Sequence, residues 1–442
     1  MFWADTIANE IITKRQAPYR VFDWWTPSGM PHAGHVRTLL IHNAIAYGLK
    51  LHGQASTYFY GWDDMDPMDG LPPDLDAATY NQYMGMPLYK VPAPKPGFAS
   101  LADYYTAKYL EAIETLEIYP EVPKTSELYE SGQLNSMIAL ALDDAAKIRA
   151  IYADFGVIHS SDWHPFQVVC DNCGKLGTTY VTDWDGETVA YRCMPNLVTW
   201  AQGCGHEGRK SPYNGNGKLP WKVEWPAVWM VMEEDYEGGG KDHFTRNSSR
   251  DYGRRIVRDV FGGEEPIGYP HEFFLIGGKK MSSSKGLGLT ANDAAHILPP
   301  RLMRFFVYRI SPQRQLNFTP EGDSIPLIFD EFDRALTAYH TDPESDLGRV
   351  VLYAHQSDSP LPQYTMRFSK VTFLIQMPHI NIREIAVREK GDALTSAEDE
   401  ELAVRIEYAR RWLSTYADES AKFTLQPDMP TVTLTHEQAV YL

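Results

Sequence analysis

The stretch that decides the fold is Tyr19–Trp62, YRVFDWWTPSGMPHAGHVRTLLIHNAIAYGLKLHGQASTYFYGW. YRVFDWW is a short β-prone run, and a Thr-Pro-Ser-Gly turn, Thr26 to Gly29, ends it. Val36, Leu40, Ala44, Tyr47 and Leu51 then recur at three- and four-residue intervals, the period of one helix face. Gly53 is a good helix stop, and ASTYFYGW reads as a second strand. Strand, helix and strand in that order predict a parallel sheet, and with it an α/β fold.

Outward from this unit, GMPLYKVPAPKPG (85–97) is a Pro/Gly-rich break, followed by a helical stretch over about 100–155. The chain's four cysteines, Cys170, Cys173, Cys193 and Cys204, fall inside 165–210, and GRKSPYNGNGKLP (208–220) is a second polar break. β-prone segments resume with VEWPAVWMVM (223–232) and HEFFLIGG (271–278). From about 291 the pattern is helical, with a capping box at Thr395 and Glu398 ahead of Leu402, Ile406, Ala409, Leu413 and Tyr416.

Composition narrows the class. The 442 residues fit about three domains. A hydrophobic share of 43% excludes a disordered or collagenous chain. No apolar run reaches the roughly 18 residues of a membrane helix, so no membrane partner is expected. The N-terminus lacks a signal pattern, which predicts a cytoplasmic protein. With 41 Lys+Arg against 58 Asp+Glu the net charge is −17, which suits general nucleic-acid binding poorly but leaves room for a local basic patch. Arg250, Arg254, Arg255 and Arg258, with Arg301, Arg304, Arg309 and Arg314, are candidates for RNA phosphate contacts or for solvated helix faces.

Four segments carry chemistry. His32-Ala33-Gly34-His35 opens a helix after a strand; alone it also fits two solvated histidines, but a helix N-terminus offers N–H groups to phosphate. Gly278-Lys279-Lys280-Met281-Ser282-Ser283-Ser284-Lys285-Gly286 combines point charges and hydroxyls suited to phosphate, and is not a Walker A loop. Asp63, Asp64 and Asp66 crowd a strand end; they read either as a solvated acidic turn or as a site for a cation, a lysine ε-ammonium or Mg²⁺. Cys170-x-x-Cys173 with Cys193 and Cys204 reads as one structural zinc site, with His206 as an alternative ligand.

The pairing of H-x-G-H with a downstream K-M-S-x-S resembles the two signatures of class I aminoacyl-tRNA synthetases. TPSGMPHAGHVR, GWDDMD at 61–66, the cysteine segment ending CGHEG, LPWKVEWPAVW at 219–229, GGKDH at 239–243 and YARRWLSTYA at 408–417 are similar to the class I lysyl-tRNA synthetase family. The resemblance implies a Rossmann-type parallel-sheet catalytic domain in two halves, 1–80 and 221–290. It further implies a zinc-knuckle insertion at 81–220, a stem-contact region at 291–335 and a helical anticodon-binding region at 336–442. That last region is expected to be incomplete.

The implied reaction is activation of L-lysine by ATP with Mg²⁺, then transfer to the 2′-OH of the terminal adenosine of tRNA(Lys), by a monomer. The resemblance carries His32, His35, Lys280 and Lys285 over as catalytic, with Ser28, Gly34, Asp242, His243, Lys279, Met281, Ser282, Ser283 and Ser284 at ATP. Gly29, Asp63, Asp64, Trp225, Trp229, Tyr269 and Glu272 fall to lysine. The usual signature has a second lysine where this chain has Ser283, so Lys285 would take its place. A glutamyl-type synthetase is an alternative, but it would want a cationic pocket where GWDDMD is acidic. A synthetase-like RNA-binding paralogue without aminoacylation is another, and retention of His32, His35 and Lys280 argues against it.

Overall fold

The computed structural model describes residues 2–277, 289–424 and 435. The chain forms two compact units, one of residues 1–318 and 342–356, the other of 319–341 and 357–442. In the first, α1 (Trp3–Lys14) precedes β1 (Tyr19–Trp25), α2 (Ala33–Leu51) and β2 (Ser56–Trp62). β1 and β2 are parallel over their whole length, from Tyr19 opposite Ser56 to Trp25 opposite Trp62. The strand on the other side of β1 comes from far along the chain: β8 (Tyr236–Glu237) is parallel to Val21 and Phe22. Short parallel bridges from Glu121 and Lys124 to β2, and from Ile267 to Tyr236, widen the sheet. Sheet and helices thus give the α/β class that the opening stretch predicts.

Aromatic residues knit the sheet. Phe22 stacks on Phe59 at 4.4 Å and lies parallel to Trp24. Trp24 covers Gly61 so closely that a Cβ there would sit 2.1 Å from the indole, so residue 61 must be glycine. Helix α2 is buried on nearly every side, not on the single face that the periodicity predicts. Helix α1 and the helices Ala291–Ala295 and Pro300–Tyr308 pack around the part that the sheet leaves open. Two polar side chains, Arg37 and His42, are enclosed with it.

Residues 221–232 are a helix, Trp221–Met232, and not the β segment that their β-branched and aromatic content suggests. Trp221, Trp225 and Trp229 recur every four residues, so the helix puts all three indoles on one face. Trp221 stacks on Trp225 at 5.3 Å, and the acceptors that await the Trp225 and Trp229 N–H groups outweigh β propensity.

The remaining strands of this unit are short. β3 (Gln167–Val168) pairs antiparallel with β7 (Gly217–Lys218), and β4 (Thr179–Trp184), β5 (Val189–Cys193) and β6 (Glu207–Lys210) form an antiparallel meander. β9 (Gly239–Gly240) is parallel to β10 (Pro270–His271), and β11 (Phe274–Ile276) to β12 (Leu316–Phe318).

The second unit packs the helices Ser324–Thr341, Phe368–Leu374, Ile382–Lys390 and Ser396–Thr415. The capping box is formed: Thr395 N donates to Glu398 Oε2 at 2.8 Å, and Glu398 N to Thr395 Oγ1 at 3.4 Å. The buried face runs through Glu401, Leu402, Arg405, Tyr408, Ala409 and Trp412, so Leu402 and Ala409 of the expected stripe are buried while Ile406, Leu413 and Tyr416 are half-buried at its margin, the face leaning toward Arg405. Arg405 draws it there: its guanidinium is enclosed and bonds Glu401, Asp333 and the Met366 carbonyl.

Candidate active site

A cavity of about 660 Å³ opens at the carboxyl ends of β1 and β2, where open α/β sheets bind ligands. One end is built by the first turn of α2. His32 is its N-cap, and its Nδ1 accepts the Gly34 N–H at 3.0 Å. His35 Nδ1 accepts the His32 N–H at 3.1 Å, and the two rings stack at 3.9 Å. Because both Nδ1 atoms accept, each neutral ring carries its proton on Nε2. Burial, and then the neighbouring His32, hold His35 well below its usual pKa, so it stays neutral. Gly34 is required by the ring above it, since a Cβ would stand 2.6 Å from His32 Cε1. Ser28 also lines this end, and Gly29 beside it does not.

The helix start is bonded to the far side of residues 278–288. Ala33 N donates to Leu289 O at 3.0 Å, Ala291 N to Pro31 O at 2.8 Å, and His32 bridges Thr290. Lys279, Lys280, Met281, Ser282, Ser283, Ser284 and Lys285 themselves lie outside the described residues.

The other end is acidic and aromatic. Asp23, Glu224 and Glu237 line it with Trp24, Trp221 and Trp225. Glu237 is buried and accepts Trp225 Nε1 at both oxygens, 2.9 and 2.8 Å, and Trp229 Nε1 at 2.6 Å. Burial raises it to about 7 although Arg250 opposes the shift. Asp23 accepts Thr38 Oγ1 at 3.0 Å, and burial raises its pKa. The nearest imidazole, His42, accepts the Gly238 N–H at Nε2, so it faces Asp23 as a neutral ring. His42 therefore leaves the Asp23 charge unbalanced, while Glu224 and Glu237 face Lys218 and Arg250.

The cation that GWDDMD calls for is already in the chain. Lys218 is 1% exposed and its Nζ lies 2.8 Å from Asp63, 2.5 Å from Asp66 and 2.6 Å from Glu224. Burial lowers its pKa, the three carboxylates more than reverse that, and the ammonium persists. Glu224 is pushed up to about 7, burial being the largest cause. Asp63 borders the cavity with its Oδ1 engaged by Lys218, and Asp64 accepts Ser126 N and Oγ at 2.8 and 2.7 Å, capping the helix Thr125–Glu130. An internal ammonium thus holds Asp63 in the cavity wall, and a helix start holds Asp64 just outside the lining.

The other expected residues divide. Trp225, Glu272 and His243 line the cavity, with His243 against Trp221 and Trp225. Glu272 pairs with Lys241 at 2.9 Å. Trp229 stands behind Trp225, and Asp242 lies in the 3₁₀ turn Lys241–His243 beside the lining. Tyr269 points away: its hydroxyl bonds Glu10 of α1 and it lines a separate cavity. Asp23, Glu237, Glu224, Lys218 and Trp221 were passed over in the sequence. A lone carboxylate in the apolar run YRVFDWW, and the four-residue spacing of the tryptophans, were the available signals.

The basic residues are mostly engaged. Arg250 is buried against the Glu237 and Pro266 carbonyls, and Arg254 pairs with Glu265. Arg255 and Arg258 pair with Asp259, and Arg304 is buried on the Leu116 and Ala354 carbonyls. Arg250 and Arg304 thus hold the fold, while Arg254 and Arg258 stay largely exposed in surface pairs.

The four cysteine sulfurs lie within 4.8 Å of one another. Cys170 and Cys204 are 3.7 Å apart, and Cys173 and Cys193 3.6 Å. A tetrahedron with metal–sulfur bonds of about 2.3 Å has edges of about 3.8 Å, so the set fits zinc. The wide Cys193–Cys204 gap closes because β5 and β6 pair, with Cys193 N on His206 O and Gly205 N on Cys193 O, both 2.8 Å. His206 is outside the cluster, against Tyr191.

Lys218→Met should unbalance three buried carboxylates and cost about 3–5 kcal/mol at neutral pH, measured by urea unfolding. The folded pKa values of Asp63 and Glu224, already raised by burial, would then stand further above their unfolded ones. The deficit must therefore shrink as pH falls and they take up protons. Wild-type stability at pH 7 would contradict the charge assignment.

Residues 1–357 match the family model described as tRNA synthetases class I (K). Among relatives, the lysine–tRNA ligase of Thermoplasma acidophilum is 33% identical over 432 residues, covering 97% of this chain and 82% of that protein. Those of Methanosarcina barkeri and Archaeoglobus fulgidus are each 31% identical over all of this chain, covering 81% and 86% of their own length. No helix among the described residues is long and apolar enough to cross a membrane. Matched in this way over most of its length, the chain belongs to the class I tRNA synthetases (K).

Proposed function

We propose that this protein is a lysine–tRNA ligase that forms lysyl-adenylate from L-lysine and ATP, releases pyrophosphate, and passes the lysyl group to the 2′-OH of the terminal adenosine of tRNA(Lys). The observation that carries the reading is the polarity of the cavity. Its lining combines a helix N-terminus and two imidazoles with buried carboxylates among indoles. ATP phosphates suit the first and an alkylammonium the second. Glutamate would meet the wrong charge. Relatives named for the lysine reaction, aligned over nearly the whole chain, support the same substrate.

The lysine carboxylate attacks the α-phosphorus in line, and the pyrophosphate oxygen leaves with the electron pair. Such a step asks little covalent work of the protein; positioning and charge stabilisation dominate. His32 and His35 donate Nε2–H to phosphate oxygens as charge builds there. Mg²⁺ carried by ATP would supply further neutralisation of the phosphate charge. Lys280 and Lys285, with Lys279 and the serines Ser282, Ser283 and Ser284, are assigned to pyrophosphate on sequence grounds. Asp242 and His243 are assigned to the adenosine side on the same grounds. The aromatic wall at Trp221 and Trp225 packs the lysine stem.

Cys170, Cys173, Cys193 and Cys204 hold one structural zinc in this reading, which gives the meander and the β3–β7 pair a fixed anchor. Four protein ligands leave no open coordination position, so the metal takes no part in the chemistry.

ATP–pyrophosphate exchange, run with each standard amino acid, tests the function. Exchange with lysine and background rates with glutamate are expected; no exchange with any amino acid, with or without tRNA, would overturn it. Metal analysis of the purified protein should find about one zinc per chain, and a chelator should lower the unfolding temperature. A metal-free protein of unchanged stability would remove the zinc.

A further inference from the structure

Arg37 sits on α2 one residue beyond Val36 and is 2% exposed, yet it lines the cavity. Its Nη1 donates to the Phe273 carbonyl at 2.7 Å, and its Nη2 to the carbonyls of Pro312 at 3.1 Å and Arg314. Among the described residues no carboxylate comes within ion-pair distance of it; Glu272, whose charge it feels, is paired with Lys241. Its Nε is buried with no hydrogen-bond partner. Burial pulls the guanidinium down to about 10, so it remains charged at neutral pH.

A buried cation solvated only by carbonyl dipoles is costly to keep, and it is kept here by three carbonyls that a methionine would leave without a donor. Two features show what it does. The three carbonyls belong to two segments, the residue before β11 and the approach to its partner β12. The same helix is bonded at its first turn to Leu289 and Ala291. Only a planar fork with several donors spans such a set. The guanidinium, its Nε still unpartnered, lies in the cavity wall on the helix that carries the two histidines.

We propose that Arg37 is a positioning residue for adenylation: its fork fixes the histidine-bearing turn of α2 against β11 and β12, and its charge favours the polyphosphate of ATP in that end of the cavity. This rests on the lysine–ATP reading above. It acts through the helix and the field, so it is distinct from the groups that touch phosphate.

The test uses the full chain as wild type, Arg37→Lys and Arg37→Met, in lysine-dependent ATP–pyrophosphate exchange, with circular dichroism and melting to establish folding. Arg37→Met should lower kcat/KM for ATP by about tenfold or more while KM for lysine stays within about twofold. Arg37→Lys, which keeps the charge but not the fork, should fall between the two. Wild-type ATP parameters in Arg37→Met would overturn the proposal. So would equal losses for ATP and lysine with no recovery in Arg37→Lys, or failure of both variants to fold, since each describes a packing residue only. A wild type that shows no exchange with lysine would instead overturn the function itself, which keeps the two failures apart.

Discussion

One buried ammonium organises this active site. Lys218 is surrounded by Asp63 and Asp66 from the end of β2 and by Glu224 from the tryptophan-bearing helix. Those carboxylates come from segments more than 150 residues apart, and without a cation they would repel. With it they become a fixed wall. The strand end, the indole face and the acidic side of the cavity take their places around a charge that the chain supplies itself.

The position of Lys218 is set in turn from the cysteine segment. Lys218 is on β7, opposite Gln167 on β3, three residues ahead of Cys170. Gly217 next to it can have no side chain, since a Cβ would lie 2.3 Å from the Gln167 carbonyl. The pairing is therefore tight, and a metal at the four sulfurs would stiffen the same short ladder. A structural metal site can in this way govern substrate geometry from outside the cavity, as an outer support for the residues that form its wall. The opposite end of the cavity is held by other means: a capping box between two histidines, and a buried arginine fork.

How much of this the sequence discloses depends on the range of the interaction. The β1–α2–β2 unit, the His32–His35 turn and the Thr395 capping box are local, and their periodicities and spacings name them directly. The four cysteines are legible as a metal set because soft ligands cluster. The acidic turn shows that a cation must be close, but its partner is set by the tertiary fold, and an internal lysine competes with any substrate for that role. Trp221–Met232 misleads because tryptophan and valine favour strands, while buried indole N–H acceptors reward a helix. Tyr269 falls to lysine by family resemblance, yet its hydroxyl finds Glu10, a contact with a residue near the start of the chain. Asp23 is a single carboxylate in an apolar run, and Glu237 is the last of the acidic run EEDYE at 233–237. Only the folded sheet shows that they share a wall.

The central claim is that the acidic, indole-lined end of the cavity reads a positive charge. Equilibrium dialysis of L-lysine against L-norleucine, which keeps the stem and lacks the ammonium, addresses it most directly. Buried carboxylates left without their cation should make norleucine bind weaker by a factor of about a hundred or more. Equal affinity for the two would show that the wall recognises only the aliphatic stem, and would contradict the account.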